Sequence, residues 1–413
     1  MIIKRINRER VPAYLMAAAA VALAAALILH PSEAFDAAVK GLEVWWNVVF
    51  PALLPFFIGS EILMGLGVVH YLGVLLEPLM RPAFNVPGVG SFVIAMGLAS
   101  GFLVGGNIST QMRRKKLITK VEAERLISFT NTSDPLFMCG AVALGMLGRP
   151  DLGGTIVAVH YLSALTTGLY LRHYGRNQPN TPETRERGHM LSRAATALYE
   201  ARKKDGRAFG QLMGDAIRNS VNSLLLIGGT IILFSVLIRI LTATGVAGAI
   251  SAVAYKIMFG PLGMHPELMP AVINGFFEID LGCLAASQVS DAVPLIQKIM
   301  ATSGIIAWSG LSVFAQIAAI TSDTDIQMKP FVIGRVIHAF FAVLYTWLFM
   351  GPLAPVMSRT MPVFSRLYQA DGMTVLQRLG YMSRLFMLLA VGLCLLGVLL
   401  NIYKGIKIAV FRR

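Results

Sequence analysis

The sequence predicts an all-α polytopic membrane protein made of two inverted repeats with broken or re-entrant helices. Hydrophobic residues make up 55% of the 413 residues and charged residues only 14%. Soluble domains usually carry roughly a quarter charged residues. At ~20 apolar residues per span, the chain can hold about ten spans. An internal repeat and several polar breaks within apolar runs predict how these spans are arranged.

The chain is basic, with a formal net charge of +14. Its lysines and arginines occur in short groups beside apolar runs, as in Lys4-Arg5 and Arg113 to Lys116. This distribution is typical of membrane orientation, with basic loops in the cytoplasm, and we expect no nucleic-acid partner. Cys139, Cys283 and Cys394 are far apart in apolar surroundings. They indicate neither a disulfide framework nor a metal site, and we expect no cofactor.

The N-terminal apolar run, Tyr14 to Leu29, predicts an uncleaved anchor. It also resembles a signal peptide, but it is long for the apolar region of one. Four later runs predict spans: Asn47 to Val69, Leu152 to Leu171, Val221 to Leu241 and Pro330 to Leu348. The predicted domains are an N-terminal anchor (1–40), a first gate-like repeat (41–174), a basic cytoplasmic linker (175–207), a second gate-like repeat (208–352) and a C-terminal segment (353–413) with a last span, Phe386 to Ile402, and a basic tail.

An internal repeat is indicated by three pairs of identical residues with a common separation of 178 positions. The pairs are Gly67 and Gly245, Gly97 and Gly275, and His160 and His338. If the N-terminus, the linker and the C-terminal tail all lie in the cytoplasm, each repeat crosses the membrane an odd number of times. Repeats with an odd number of spans are inverted relative to each other, as in many secondary transporters.

A polar stretch, Thr130 to Pro135, lies between two apolar runs. Its hydroxyl, amide and carboxyl groups are good helix N-caps, and a proline suits the first helical turn, so the stretch predicts two half-helices that meet at a break. Within a membrane, irregular backbone survives only where protein buries it or a watery cavity meets it. The break is therefore a candidate binding site, the alternative being an ordinary loop between two spans.

Three further interrupted segments complete the pattern. Ser91 to Asn107 is rich in glycine and predicts a re-entrant hairpin or a broken helix, although glycines also permit close helix packing. In the second repeat, Asn274 to Gly282 carries two carboxylates and Ala301 to Gln316 mixes hydroxyl groups and glycine into an apolar run. We interpret the four breaks as one architecture that surrounds a substrate.

The polar and glycine residues of the breaks are the predicted substrate-binding groups: Thr130, Asn131, Thr132, Ser133, Gly101, Asn107, Asn274, Ser303 and Ser309. Charged residues inside a membrane are costly and usually functional. Five of them are predicted to be coupling or structural charges: Glu61, Asp134, Arg239, Glu278 and Asp280. Because Glu61 and Arg239 are related by the repeat separation, we also hypothesise that they pair near the centre. The alternatives for Glu61 are a carboxylate close enough to the membrane interface to reach water, or one member of a buried structural pair.

Several motifs resemble the sporulation integral membrane proteins of the YlbJ family, over nearly the whole chain. They are Trp45 to Phe57, Leu76 to Pro82, Glu122 to Phe137, Phe276 to Ile279 and Ala307 to Val313. The resemblance implies membership of the nucleoside-recognition "gate" group, a fold similar to concentrative nucleoside carriers and a role in endospore formation. It also implies dipicolinic acid as cargo, moved from the mother cell across the outer forespore membrane.

The chain departs from the family pattern at two places. Ser100 to Asn107 lacks the expected Tyr-Pro turn, and Asp280 stands where a neutral hydroxyl residue is expected. Both departures weaken the transfer of ligand chemistry from the family to this chain.

The predicted function is a multi-pass transporter that works by alternating access, with both termini in the cytoplasm. A dianionic pyridine dicarboxylate would suit half-helix N-termini, and a proton or sodium ion would provide coupling. Metal spacing, nucleophile motifs and phosphate loops are missing from the sequence, so we do not expect an enzyme. A structural or assembly protein of the spore envelope and a nucleoside-like solute carrier are the alternatives. The sequence does not predict the oligomeric state.

Overall fold

The computed structural model describes residues 11–182 and 190–354, and in these ranges the regular structure is helical throughout. Helices of the first half are α1 (Val11–Leu29), α2 (Pro31–Val44), α3 (Phe50–Gly65), α4 (Val68–Leu79), α5 (Gly90–Ser100), α6 (Val104–Arg114), α7 (Lys120–Thr130), α8 (Gly153–Leu171) and α9 (Met190–Asp205). Those of the second half are α10 (Phe209–Ala243), α11 (Val246–Ala254), α12 (Met269–Phe277), α13 (Ile279–Ser287), α14 (Leu295–Trp308), α15 (Gly310–Thr321) and α16 (Met328–Met350). Wider π-type turns form Trp45–Val49, Met80–Phe84, Phe137–Met146 and Tyr255–Phe259, and short 3-10 turns form Pro150–Leu152 and Pro266–Leu268.

Within the described ranges, four helical stretches are long and apolar enough to cross a membrane, and six if each of two bent pairs counts as one span. The four are Pro150–Leu171, Phe209–Ala243, Leu295–Thr321 and Met328–Met350. Three of them contain predicted spans. The predicted span from Asn47 to Val69 is interrupted, because the chain bends by 76° between α3 and α4. The predicted last span, Phe386 to Ile402, lies outside the described residues.

Both halves follow one plan, which confirms the predicted pair of repeats. A helix leads into a left-handed glycine that starts a short helix, Gly67 (φ 82°) before α4 and Gly245 (φ 77°) before α11. A hairpin follows, α5–α6 in one half and α12–α13 in the other. Next comes an interrupted helix, α7 with Phe137–Met146 or α14 with α15, and then a long helix, α8 or α16.

The two long helices that end the repeats, α8 and α16, pack against each other in opposite directions. Leu171 at the end of α8 lies against Gly334 in the first turns of α16. Val159, in the first half of α8, belongs to the cluster against which Phe349 packs at the far end of α16. The rings of His160 and His338 meet between them, 4.6 Å apart. Equivalent helices that cross antiparallel are expected of inverted repeats.

Several glycines of the hairpins are required by close packing. A Cβ at Gly97 or Gly105 would collide with the main-chain oxygen of Thr130, and one at Gly282 would collide with the backbone of Gly275. The glycine pattern therefore serves helix packing, the alternative weighed above, as well as the breaks.

Helix α10 runs antiparallel to α2 and α3. Gly65 lies against Leu212, and the indole nitrogen of Trp45 donates to the main-chain oxygen of Leu224 at 2.8 Å. With a rise of 1.5 Å per residue, Arg239 lies about 40 Å along α10 from Leu212, whereas Glu61 is one helical turn from Gly65. The hypothesis that Glu61 pairs with Arg239 is therefore wrong, because the antiparallel register places them at opposite ends of this helix pair.

The predicted linker between the halves contains α9, which packs on the first repeat. The carbonyl group of Leu198 lies against Gly67, and Arg193 forms an ion pair with Glu77 at 2.6 Å. Helix α9 of the linker therefore packs against α4, and an ion pair stabilises this contact.

Candidate substrate cavity at the helix breaks

A cavity of about 250 Å³ lies where the interrupted helices of the two repeats meet. It is lined by α3, by the breaks between α5 and α6 and between α12 and α13, by the segment after α7, and by α10 and α15. At ~30 Å³ per water molecule, the cavity has room for about eight waters. Irregular backbone at membrane depth is expected next to such a cavity, so the fold places a candidate site where the sequence predicts one.

Four carboxylates line the cavity: Glu61, Asp134, Glu278 and Asp280. Asp134, Glu278 and Asp280 are each 5% exposed. Among the described residues, no lysine, arginine or histidine forms an ion pair with any of the four. Arg239, the fifth charge singled out in the sequence, is exposed and lies outside the lining. The cavity is therefore acidic.

Neutral polar groups reach the cavity from two helices. Ser220, Ser223 and Thr230 come from α10, and Ser312 and Gln316 from α15. None of these residues is among the predicted substrate-binding residues. A signal for the first three exists in the sequence, because their spacing places hydroxyl groups on one face of a long apolar helix.

Three aromatic rings complete the wall: Phe57, Phe102 and Phe137. They come from α3, from the break between α5 and α6, and from the segment after α7. The cavity wall thus combines aromatic ring faces with the hydroxyl groups of α10 and α15. Pockets of this kind, apolar with a few placed polar groups, are typical of small-molecule sites.

Asp134 caps the half-helix that follows α7. Its Oδ1 accepts hydrogen bonds from the main-chain nitrogens of Leu136 at 3.0 Å and Phe137 at 2.8 Å. An acidic cap stabilises the positive end of a helix. At this N-terminus the chain's own carboxylate accepts from two of the main-chain N–H groups that were expected to meet an anionic substrate, so anion binding there stays a prediction.

Glu278 and Asp280 flank the sharp break between α12 and α13. The backbone of Glu278 is extended (φ −146°, ψ 131°), and its N–H donates to the main-chain oxygen of Asn274 at 2.7 Å. The two carboxyl groups interact with each other, and that of Glu278 also contacts the hydroxyl of Ser312. One oxygen of each carboxyl group has no hydrogen-bond partner.

None of the nine predicted substrate-binding residues lines the cavity. The amide oxygen of Asn131 accepts from the main-chain nitrogen of Leu103 at 2.8 Å, which ties one break to another. The hydroxyl of Thr132 donates to the main-chain oxygen of Gly97, and that of Thr130 to Leu126. Buried backbone groups freed by a break need partners, so these polar side chains serve the protein itself.

The other predicted residues have different surroundings. The main-chain nitrogen of Ser133 donates to His160 Nε2 at 3.0 Å, and Ser303 is buried at 2% exposure. Gly101 lies against Asp134. Asn107 is exposed, accepts a hydrogen bond from Gln111 and is not among the residues that line the cavity.

The residue that sequence reasoning missed is Arg335 of α16, which is 0% exposed. Its guanidinium donates to the main-chain oxygens of Ser128 at 2.7 Å and Asn131 at 2.8 Å, and to the hydroxyl of Ser309 at 3.2 Å. Asn131 ends α7 and Ser309 ends α14, so one side chain holds both interrupted helices. The sequence does contain a signal for this role: Arg335 is a lone arginine inside an apolar span, and a buried charge of this kind is usually functional or structural.

The two repeat-related histidines are packed and hydrogen-bonded. Beside its bond from Ser133, His160 offers its main-chain oxygen to His338 Nε2 at 3.0 Å. Both side chains are almost fully buried. Together with Arg335 they form the polar centre between the repeats, separated from the acidic cavity by the helix breaks.

Comparison with known proteins supports the membrane and sporulation context. A family model described as "Gate: Nucleoside recognition" matches residues 46–150, which include the cavity residues Glu61 and Asp134. The sporulation integral membrane protein YlbJ of Bacillus subtilis (strain 168) is 43% identical over 349 residues, covering 84% of this chain and 85% of that protein. No solved structure matches significantly. The likeness to the fold of concentrative nucleoside carriers therefore stays a prediction.

Proposed function

The chain belongs to the YlbJ family of sporulation integral membrane proteins, and from this premise we propose that it transports dipicolinic acid across the outer forespore membrane. Several helices long and apolar enough to cross a membrane, together with the match to the gate family model over residues 46–150, support a carrier. The observation that carries the proposal is the cavity where broken helices of both inverted repeats meet. In secondary transporters, such midplane sites are exposed alternately to the two sides.

The wall of the cavity supports a small aromatic cargo. Phe57, Phe102 and Phe137 offer ring faces, while Ser220 and Ser223 on α10 offer hydroxyl donors. A pyridine ring would pack against the first group, and its carboxyl substituents would accept hydrogen bonds from the second. These interactions define an orientation for a flat, disubstituted ring.

The acidic lining restricts the charge state of the cargo. A dianion beside Asp134, Glu278 and Asp280 would meet like charges in a site largely shielded from water. Dipicolinate therefore enters together with protons or other cations, which neutralise either these carboxylates or the carboxylates of the cargo. This requirement favours a coupled carrier over a simple anion pore.

The proposed orientation places the basic loop after α6 in the mother-cell cytoplasm, together with both termini. Arg113, Arg114, Lys115 and Lys116 supply its charge. Arg113 and Arg114 also form ion pairs with Asp325 and Asp323, on the loop between α15 and α16. Loops from both repeats thus form one charged face, consistent with the positive-inside rule.

A nucleoside-like solute is the second candidate cargo, because the gate family model is described as nucleoside recognition. Carboxylates such as Glu278 accept hydrogen bonds well from sugar hydroxyl groups. The acidic cavity therefore suits a neutral, hydroxyl-rich solute, and the experiment below includes one.

Uptake by proteoliposomes tests the proposal. Purified full-length protein is reconstituted, and entry of radiolabelled dipicolinate and uridine is measured against protein-free liposomes. We expect dipicolinate uptake that is saturable and is lost in Ser223→Phe, which fills the cavity, but kept in the exposed control Asn107→Ala. Uptake of uridine without uptake of dipicolinate would identify a nucleoside-like solute as the cargo. Transport of neither solute would favour a structural or assembly role in the spore envelope.

A further inference from the structure

We propose that Glu278 and Asp280 form a proton-coupling site, which takes up a proton with the cargo on one side of the membrane and releases it on the other. The proposal rests on the transport function proposed above and identifies the coupling ion of that site.

The first argument is the contact between the two carboxyl groups. They interact directly at the break between α12 and α13, and each residue is 5% exposed. Two carboxylates in contact and away from water repel each other strongly, and such pairs share a proton. The proton forms an O–H bond on one carboxyl group and a hydrogen bond to the other.

The second argument is that the pair opens into the cavity. Both residues line it, and Glu278 Oε2 and Asp280 Oδ1 lack hydrogen-bond partners. Buried polar atoms are rarely left without partners. Unpaired carboxyl oxygens buried at the wall of a cavity are suited to hold a proton that is exchanged with water or with a cargo carboxyl group.

The third argument concerns the charges around the pair. Asp134 and Glu61 face it across the cavity, and the Cys283 thiol lies beside it on α13. Of the cations on the packed helices, Lys298 of α14 pairs with Asp291 at 3.5 Å, and Arg218 and Arg239 of α10 are exposed. Arg335 of α16 is buried and donates to Ser309, beside the Gly310 that lies against Glu278, but its hydrogen bonds go to main-chain oxygens and to that hydroxyl. Among the described residues, no cation forms an ion pair with either carboxyl group, so a proton is the ion that can neutralise the pair directly.

Sodium is the competing coupling ion, and the local ligands argue against it. The neighbours of the Glu278 carboxyl group are Asp280 and Ser312. This is a proton-sharing arrangement rather than a cage of oxygen ligands.

Transport under imposed gradients is the main test. The wild type, Glu278→Gln and Asp280→Asn are reconstituted, with Asp291→Asn as the matched control because its side chain is exposed. For one proton per cargo, each unit of pH gradient raises dipicolinate accumulation up to about tenfold. We expect this response in the wild type and the control. In both cavity variants it should vanish, while exchange of dipicolinate without a gradient persists.

Two results overturn the proposal: accumulation driven by a sodium gradient with no response to pH, or an unchanged pH response in both cavity variants. Absence of any dipicolinate transport by the wild type would instead reject the proposed function.

A second measurement tests the pair without any cargo. Dicyclohexylcarbodiimide reacts with protonated carboxyl groups in apolar surroundings, and mass spectrometry locates the adduct. We expect modification at Glu278 or Asp280, decreasing at alkaline pH, and none at Asp291. Lack of reaction at both residues over the whole pH range would contradict a proton held there.

Discussion

Arg335 donates a hydrogen bond to the main-chain oxygen of Asn131 at 2.8 Å, so a side chain of the second repeat closes the helix break of the first. The same guanidinium reaches Ser309 at the equivalent break of its own repeat. The two interrupted helices therefore share one buried donor. These hydrogen bonds join the two repeats at the helix breaks beside the cavity.

Replacement of Arg335 by methionine is expected to destabilise the protein strongly. The main-chain oxygens of Ser128 and Asn131 would lose their donor, and each unpaired buried group costs ~1–3 kcal/mol. Thermal unfolding in detergent measures the effect. Arg239→Met, an exposed change on an apolar helix, is the control and should unfold close to the wild-type temperature. An equally small effect at Arg335 would contradict its bridging role.

Asn131 is expected to act through the fold rather than through contact with cargo. Asn131→Asp keeps an oxygen that accepts from the main-chain nitrogen of Leu103, whereas Asn131→Leu removes it. The leucine variant should lose ~1–3 kcal/mol of unfolding free energy. If the aspartate variant is folded, its apparent KM for dipicolinate should stay within about twofold of wild type. A large rise in KM without loss of stability would restore Asn131 as a cargo ligand.

Reversal of charge at Glu61 and Arg239 together should not rescue the single variants. The residues lie at opposite ends of an antiparallel helix pair, so the effects on unfolding free energy should add within about 0.5 kcal/mol. A double-mutant cycle of Glu61→Arg and Arg239→Glu measures this. Recovery of stability in the double variant would show that they do pair.

Asp325 is expected to contribute modestly to stability, in a manner that depends on pH. The Arg113 guanidinium hydrogen-bonds its carboxyl group at 2.7 Å and holds the pKa of that group below its usual value. Such a contribution is present above the unfolded-state pKa and is lost as pH falls through the folded-state pKa. Because the pair is half-exposed, we expect ~0.2–1 kcal/mol.

Comparison of the unfolding temperatures of the wild type and Asp325→Asn across pH tests this contribution. The difference should be constant near neutral pH and disappear in strong acid. A difference that grows as pH falls would have the wrong sign.

Much of the architecture could be predicted from the sequence because membrane spans depend on local apolar runs. The repeat was visible in Gly67 and Gly245, whose left-handed backbone needs glycine at the same place in each half. The carboxylates Glu278 and Asp280 were found because charge inside an apolar run is costly.

The direction of polar side chains at the breaks could not be predicted in the same way. Whether Asn131 faces a cargo or a neighbouring backbone depends on which nitrogen lies beside it, and Leu103 comes from another segment. The role of Arg335 likewise depends on tertiary packing that brings two helix ends to one guanidinium. Local sequence does not encode these contacts.

Protection of a cavity cysteine by cargo tests the central claim most directly. Ser223→Cys is introduced after Cys139, Cys283 and Cys394 are replaced by alanine, and its rate of maleimide labelling is measured in proteoliposomes with and without dipicolinate. Asn107→Cys in the same background is the exposed control. Dipicolinate should slow labelling at position 223 in a saturable manner and leave position 107 unaffected. Equal labelling rates at position 223 with and without saturating dipicolinate would contradict binding in this cavity.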